Sequence, residues 1–200
     1  FQSFDPSGDT VVVRNEYYWD GVELEKGKYT FNCDDYVDAL NEIGIKPMIC
    51  LSYSNKFYGV PHNEEGYEAF GNYAAAVAEH LKGKVYGFEI WNEWNGGTWN
   101  GGYGNEEYVN IIKATYPKLK AVDADVPVAI GAAITAPDGW FDQLFELGAF
   151  DYCDVISYHP YCMPSNPEQK TYRGNIEDNF ENMSKTMEKY GTPKKQWITE

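Results

Sequence analysis

The sequence has little positive charge. Sixteen Lys and Arg residues face thirty-one Asp and Glu residues, so the formal net charge is −15. Nucleic acids and anionic membrane surfaces are bound through basic patches, which this composition does not supply. No apolar run is long enough for a membrane span. We therefore exclude nucleic acid and membrane as partners and expect neutral or cationic ones.

Histidine and cysteine are also scarce, with three histidines and four cysteines in 200 residues. The cysteines form neither a CxxC pair nor a regular spacing, and no zinc pattern is present. We expect no metal and no other cofactor in the chemistry, and buried free thiols in preference to disulfides. These residues are His62, His80, His159, Cys33, Cys50, Cys153 and Cys162.

Neither a linker nor a low-complexity tract divides the chain. Two hundred residues with 43% hydrophobic content can bury one sizeable core, so residues 1–200 are interpreted as a single domain. Aromatic residues reach 16%, with seventeen tyrosines and six tryptophans. Such a composition suits surfaces that stack on sugars, although core packing explains part of it equally well.

Strand-like and helix-like segments alternate along the chain. The strands are predicted at 10–14, 47–52, 85–91, 126–132, 153–158 and 196–199. Amphipathic stripes predict helices at 35–43, 65–81, 108–122, 138–147 and 176–190. Alternation of this kind is typical of a parallel sheet with helical crossovers, either closed as a barrel or open and doubly wound.

The barrel is the favoured α/β fold. No glycine-rich phosphate loop follows the first strand, and polar and aromatic residues gather where the strands end, as on a barrel rim. A complete (β/α)8 TIM barrel needs eight strands over about 250 residues. Because six units are visible, we expect an incomplete barrel that is truncated at both ends.

Two glutamates close two of these strands. Glu93 follows the third predicted strand and Glu200 follows the sixth, so in a parallel barrel both lie on one rim. Cleavage of a glycosidic bond needs such a pair, because one carboxylic acid protonates the leaving oxygen and the other carboxylate attacks the sugar. Arg14 is a candidate for the cation that keeps the attacking group ionised. The alternative is that the two glutamates are unrelated rim residues.

Three motifs carry a resemblance to a known group of enzymes. They are Trp91-Asn92-Glu93, Ser157-Tyr158-His159-Pro160-Tyr161 and Ile198-Thr199-Glu200, preceded by the stretch at residues 14–31. The chain resembles clan A retaining glycoside hydrolases over nearly its whole length, and is similar in particular to family 39-like and cellulase-like members. The resemblance implies strands two to seven of the barrel, with Glu93 as acid/base and Glu200 as nucleophile.

The same resemblance implies roles for other residues. Asn92 would hydrogen-bond the 2-hydroxyl of the sugar, His159 would donate to the substrate or tune Glu200, and Tyr161 would contact the nucleophile or a sugar hydroxyl. Aromatic residues in the predicted loops would stack on sugar faces, with loop packing as the alternative. These aromatic residues are Trp94, Trp99, Tyr103 and Trp140.

A retaining β-glycosidase acting on a polysaccharide or oligosaccharide is the function that the resemblance implies. We expect a secreted protein whose export signal has been removed or lies outside this sequence, and further domains in the full-length chain are possible partners. Two other readings stay open: a carbohydrate-binding protein without turnover, and an open-sheet protein with an unrelated ligand. A distance of roughly 5 to 5.5 Å between the carboxyl groups of Glu93 and Glu200 would favour the retaining enzyme.

Overall fold

The computed structural model of the protein describes residues 12–32, 34–97, 99–135, 138–160 and 176–200. Its strands are β1 (Val12–Tyr18), β2 (Lys46–Ser52), β3 (Gly87–Ile90), β4 (Val128–Ile134), β5 (Val155–His159) and β6 (Lys195–Ile198). Its α-helices are α1 (Trp19–Val22), α2 (Asp34–Glu42), α3 (Glu64–His80), α4 (Asn105–Val122), α5 (Asp138–Glu146) and α6 (Ile176–Glu188). Two 3-10 turns lie at Trp94–Gly96 and Ala149–Tyr152. None of the helices in these ranges has the length and apolar character to cross a membrane.

All six predicted strands are present, and the first is longer than predicted. The sequence pattern ended this strand at Arg14, whereas β1 continues to Tyr18. Arg14 and Glu16 lie on one side of β1 and are only partly exposed, while Tyr17 is buried on the other side. The charges of Arg14 and Glu16 suggested that a loop begins here. In the structure both residues belong to β1, and Arg14 faces the inner side of the sheet, where it contacts Glu89.

The sheet is parallel throughout, with the strands in the order β1-β2-β3-β4-β5-β6. Five strand spacings would separate β1 from β6 by about 24 Å if the sheet were flat. Instead, Arg14 Nη1 of β1 lies 2.6 Å from Oε1 of Glu200, which follows β6. The sheet is therefore curled into an arc of a barrel, which confirms the predicted α/β fold and excludes an open doubly wound sheet.

Helices α3 and α4 cover the outside of this arc at close range. A Cβ atom placed on Gly71 of α3 would lie 2.7 Å from the carbonyl oxygen of Ala114 on α4. A glycine is therefore required where the two helix backbones approach. Beneath them lies an aromatic core that includes Phe70, Tyr73 and Tyr108, all fully buried.

The inside of the arc is polar by comparison. It carries Glu89 and Cys50, which are paired in register on β3 and β2, and His159 of β5, and all three are fully buried. Cys50 and Cys153 are free and buried, as predicted, whereas Cys33 and Cys162 lie outside the described residues. Burial raises the pKa of the Cys153 thiol to about 12 and, together with the charge of Glu89, raises that of Cys50 well above its ordinary value.

Candidate active site

The chain leaves β3 through a strained turn that presents Glu93. Trp91 has φ 67° and Glu93 has φ 52°, both in the left-handed region, which costs a non-glycine residue about 1–3 kcal/mol. The Trp91 N–H donates to Leu51 O, and the Glu93 N–H donates to Ala132 O, each at 2.9 Å. Hydrogen bonds to strands on both sides thus hold a conformation that the residues would not adopt alone.

A β-bulge in β4 supplies the acceptor for Glu93. The register of β4 against β5 shifts between Ile130 and Ala133, and Gly131 has φ 111°. The Gly131 N–H donates to the Tyr108 hydroxyl, and the Ala132 N–H donates to Ser157 Oγ, each at 2.9 Å. Because side chains satisfy these N–H groups, the bulge can turn the Ala132 carbonyl toward Glu93.

The side chain of Asn95 ties the turn after Glu93 to the end of β4. Its Nδ2 donates to Ile134 O at 3.0 Å, and its Oδ1 accepts from the Ile134 N–H at 2.9 Å. This paired contact fixes the distance between the 3-10 turn and the sheet. Nothing in the sequence pattern singled out Asn95 for this role.

Trp94 lies in the core rather than at the surface. Its side chain is 1% exposed, stacks on Tyr108 at 5.3 Å and donates from Nε1 to Gly104 O at 2.9 Å. The prediction that Trp94 stacks on a sugar is therefore wrong. A tryptophan among glycines and asparagines resembled a loop residue, but the turn at Glu93 directs it inward under the site.

Arg14 organises the opposite side of the site. Its Nη1 contacts Glu200 Oε1, its Nε contacts Glu89 Oε2, and its Nη2 donates to Asn92 Oδ1, each at 2.6 Å. Burial alone would lower the pKa of Arg14, but the acidic groups around it, Cys50, Glu89 and Glu200, raise it above its ordinary value. The structure thus brings together the predicted residues Arg14, Asn92 and Glu200.

His159 lies between the two predicted catalytic carboxylates. Its Nδ1 is 2.9 Å from Glu93 Oε1 and 3.7 Å from Glu200 Oε2. One oxygen of Glu93 and one of Glu200 lie within 4.8 Å of each other, and both are within that distance of a His159 nitrogen. The rim therefore brings Glu93, Glu200 and His159 to one point, although 107 residues separate the two glutamates in the chain.

The neighbours of His159 define where its proton lies. Thr199 Oγ1 is 3.0 Å from Glu89 Oε1 and 3.1 Å from His159 Nε2. Since the Thr199 hydroxyl donates to the Glu89 carboxylate, its oxygen accepts from Nε2–H of His159. In a neutral imidazole the other nitrogen, Nδ1, is then an acceptor that faces Glu93. The contact of 2.9 Å between Nδ1 and Glu93 Oε1 then contains one proton that the two groups share.

Asn92 is oriented by partners at both ends of its amide. While Oδ1 accepts from Arg14, Nδ2 donates to the Tyr53 hydroxyl at 2.8 Å, and that hydroxyl donates to Glu16 Oε1 at 2.9 Å. Burial and the bond to Glu16 raise the pKa of Tyr53 well above its ordinary value, so the phenol remains a neutral donor. The second hydrogen of Nδ2 is the one that Asn92 can offer to a sugar hydroxyl.

The other predicted aromatic contacts differ in exposure. Trp99 is 53% exposed and stacks on Tyr53 at 5.5 Å. Tyr103 stacks on His62 at 4.7 Å. The Trp140 ring stacks on Tyr108 at 5.9 Å, and its Nε1 donates to Asn105 Oδ1 at 2.7 Å. Tyr161 lies outside the described residues.

Comparison with known proteins decides the family. The sequence model of "Glycosyl hydrolases family 39" matches residues 9–193, a span that includes Glu93. The chain belongs to glycosyl hydrolase family 39. This membership confirms the resemblance drawn from the motifs. Glu200 lies beyond the matched span, so its catalytic role stays a prediction.

Individual relatives agree with the family. A β-xylosidase from Caldicellulosiruptor saccharolyticus is 31% identical over an alignment of 157 residues that covers 66% of this chain and 30% of that protein. A family 39 glycoside hydrolase from Bacteroides cellulosilyticus WH2 has a TM-score of 0.77 and 26% identity, covering 94% of this chain and 42% of that one. A monomeric β-xylosidase from Caulobacter crescentus CB15 shares the fold, with a TM-score of 0.65 at 17% identity over 94% of this chain and 51% of that one. The family 39 chain thus spans less than half the length of the first two relatives.

Several residues of the family 39 site were not predicted. Glu89, Glu16, Tyr53 and Asn95 were not singled out, and Thr199 was noted only as part of a motif. Glu89 had a usable signal, because an acidic residue within an otherwise apolar predicted strand needs a buried partner. The contacts of the other residues join segments far apart in the chain and leave no local pattern.

One group of potential metal ligands is present among the described residues of the family 39 chain. It consists of Glu93, His159 and Glu200, whose ligand atoms lie within 4.8 Å of one another. The same three side chains form the carboxylate site. The expectation of metal-free chemistry stays a prediction.

Proposed function

We propose that this family 39 chain carries the catalytic carboxylates of a retaining β-glycosidase, with Glu93 as acid/base and Glu200 as nucleophile. The observation that supports the proposal is the approach of their carboxylate oxygens to within 4.8 Å. Retaining enzymes place these groups about 5–5.5 Å apart, whereas inverting enzymes leave about 6.5–9.5 Å for a water molecule. The approach of these oxygens supports the shorter, retaining arrangement.

The first step uses the two glutamates in opposite protonation states. Glu93 gives its proton to the glycosidic oxygen as that bond breaks, and Glu200 attacks the anomeric carbon to form a glycosyl ester. Arg14 orients Glu200 for the attack, because its guanidinium contacts Oε1 directly. His159 supports the protonated form of Glu93 through Nδ1.

The second step reverses these roles. Glu93, now a carboxylate, takes a proton from water, and the resulting hydroxide attacks the anomeric carbon and releases Glu200. Asn92 donates to the 2-hydroxyl in both steps, and this bond strengthens as the oxocarbenium-like transition state forms. The product keeps the configuration of the substrate.

A β-xyloside is the first substrate to test, because the relative at 31% identity is named a β-xylosidase. In the full-length protein, Glu93→Ala should lower kcat/KM for a nitrophenyl β-xyloside by about 10²–10⁴-fold, the usual contribution of a general acid. Added azide should then restore turnover and form the β-glycosyl azide. Glu200→Gln should abolish turnover without azide rescue.

The stereochemistry of the product provides an independent test. Proton NMR during hydrolysis should show the β-anomer first. An initial α-anomer, or a Glu93→Ala variant with undiminished activity on every β-glycoside that the protein cleaves, would contradict the proposal. Calorimetric binding of oligosaccharides without product release would instead favour a carbohydrate-binding protein.

A further inference from the structure

A cleft of about 720 Å³ opens beside the carboxylate site. This volume falls within the roughly 300–1,000 Å³ typical of small-molecule sites. The cleft lies between the ends of β1 and β2 and the segment that follows Glu93. Its lining residues are Tyr18, Asp20, Gly21, Tyr53, Ser54, Asn55, Lys56, Gly59 and Trp99.

Three aromatic rings form one continuous wall of this cleft. Tyr53 is the middle ring, 6.0 Å from the Tyr18 ring and 5.5 Å from the Trp99 ring, with interplanar angles of 33° and 30°. Tyr18 and Trp99 expose about half of their side-chain surface. Rings that are held in place yet open to solvent suit the apolar C–H face of a sugar. Asp20, Ser54 and Lys56 supply polar groups for its hydroxyls.

Buried hydrogen bonds hold the floor of the cleft. Asn55, which is 1% exposed, donates to Glu23 O at 3.2 Å and accepts from the Phe57 N–H at 2.9 Å. The carboxylate of Glu23 is fully buried and accepts from Trp19 Nε1 at 2.7 Å and from the Tyr58 hydroxyl at 3.1 Å. The loop is therefore organised before a ligand arrives, which lowers the entropic cost of binding.

The cleft adjoins the catalytic site at Asn92. Tyr53 belongs to the cleft wall and also accepts from Asn92 Nδ2, so the cleft and the carboxylate site share a wall residue. Glu93 is held from the other direction by His159 of β5. Asn92 is the residue proposed to bind the 2-hydroxyl of the sugar that stays on the enzyme, so the cleft adjoins that sugar.

We propose that the cleft of Tyr18, Tyr53 and Trp99 is a second sugar subsite, which holds the unit on the non-reducing side of the sugar that is cleaved. The proposal rests on the proposed function, and it names an oligosaccharide as the substrate class. The enzyme then removes a leaving group from a chain of at least two sugars more efficiently than from a single sugar.

Two substrates with the same leaving group test this assignment. In the full-length protein, kcat/KM should be higher for p-nitrophenyl β-xylobioside than for p-nitrophenyl β-xyloside. Trp99→Ala should lower the ratio of these two values by about tenfold, the factor that corresponds to about 1.4 kcal/mol of binding. Trp99→Phe, which retains an aromatic face, should keep most of the ratio. If the protein prefers glucose to xylose, the same comparison is made between p-nitrophenyl β-cellobioside and p-nitrophenyl β-glucoside.

Tyr86→Ala is the matched control. Tyr86 is 37% exposed and packs on Trp197 at 5.4 Å, and it precedes β3 at the opposite end of the sheet. Its substitution should leave the ratio unchanged. A ratio near one in the wild-type protein, or an equal loss on both substrates in Trp99→Ala, would overturn the subsite while leaving the glycosidase intact.

Binding separates failure of the subsite from failure of catalysis. If neither glycoside is hydrolysed, the proposed function fails, and xylobiose, xylotriose and cellotriose are titrated by calorimetry. Binding that is lost in Trp99→Ala and kept in Tyr86→Ala would still support the cleft as a sugar site. Absence of binding, or equal binding in both variants, would reject it.

Discussion

The two sides of the catalytic rim are built in different ways. Glu93 is positioned by its backbone, through a left-handed turn, a hydrogen bond to the β4 bulge and a buried tryptophan as the next residue. Glu200 is positioned by its side chain, which is 36% exposed and contacts the guanidinium of Arg14 from β1. The proposed acid is therefore positioned by packing, and the proposed nucleophile is positioned by charge.

This difference matches the two chemical roles. The proposed acid has to bring a proton to the glycosidic oxygen, and His159 Nδ1 lies at hydrogen-bond distance from it. A nucleophile must stay ionised, for which a fixed cation is the direct solution. Substrates that differ in their leaving group distinguish the two sides experimentally. A dinitrophenolate departs without receiving a proton, whereas a simple alcohol has to be protonated.

The largest effect is expected from Arg14→Met. It removes the cation from Glu200 and leaves the buried Glu89 carboxylate unpaired, which costs about 3–5 kcal/mol of stability. We expect kcat/KM to fall by about a hundredfold or more on every substrate, because the nucleophile is needed whatever the leaving group. Thermal unfolding and steady-state kinetics measure the two losses.

A double variant separates stability from chemistry at this position. Arg14→Met with Glu89→Gln replaces the unpaired charge by an amide and should regain much of the stability but little of the activity. Recovery of both would mean that Arg14 has only a structural role.

Asn95→Ala should have a smaller effect that is confined to the acid side. It removes the two bonds to Ile134 and leaves backbone groups without their partner, at a cost of about 1–3 kcal/mol. If the activation free energy rises by about 2 kcal/mol as a result, kcat/KM falls roughly thirtyfold for an alkyl glycoside. Dinitrophenyl glycosides should be much less affected, and an equal loss on both would contradict the separation of the two sides.

Thr199→Val should produce the smallest of these changes. It removes the oxygen that accepts from His159 Nε2, so the imidazole can adopt the tautomer with its proton on Nδ1, which offers Glu93 a donor in place of an acceptor. A lost hydrogen bond of about 1 kcal/mol corresponds to roughly a fivefold decrease in kcat/KM for a poor leaving group. Thr199→Ser keeps the hydroxyl and should behave as the wild type. Equal losses in the Val and Ser variants would show that the hydroxyl does not determine the tautomer.

Much of this architecture was accessible from the sequence. The alternation of apolar runs and amphipathic stripes predicted the six strands, and the polar residues at their ends predicted the rim with Glu93 and Glu200. The pattern failed where a side chain pointed in an unexpected direction. Trp94 resembled an exposed loop residue because its neighbours are glycine and asparagine, and Arg14 resembled the end of a strand because it is charged.

The sequence by itself determined the periodicity of burial and the residues that close each strand, because both are local properties of the chain. Only the tertiary structure decided which of those residues meet. The curling of the sheet brings Arg14 to Glu200, the bulge of β4 turns Ala132 toward Glu93, and the arrangement of Thr199 and Glu89 determines which nitrogen of His159 carries the proton. These contacts join residues up to 186 positions apart. They depend on strand register and curvature, which no local sequence pattern records.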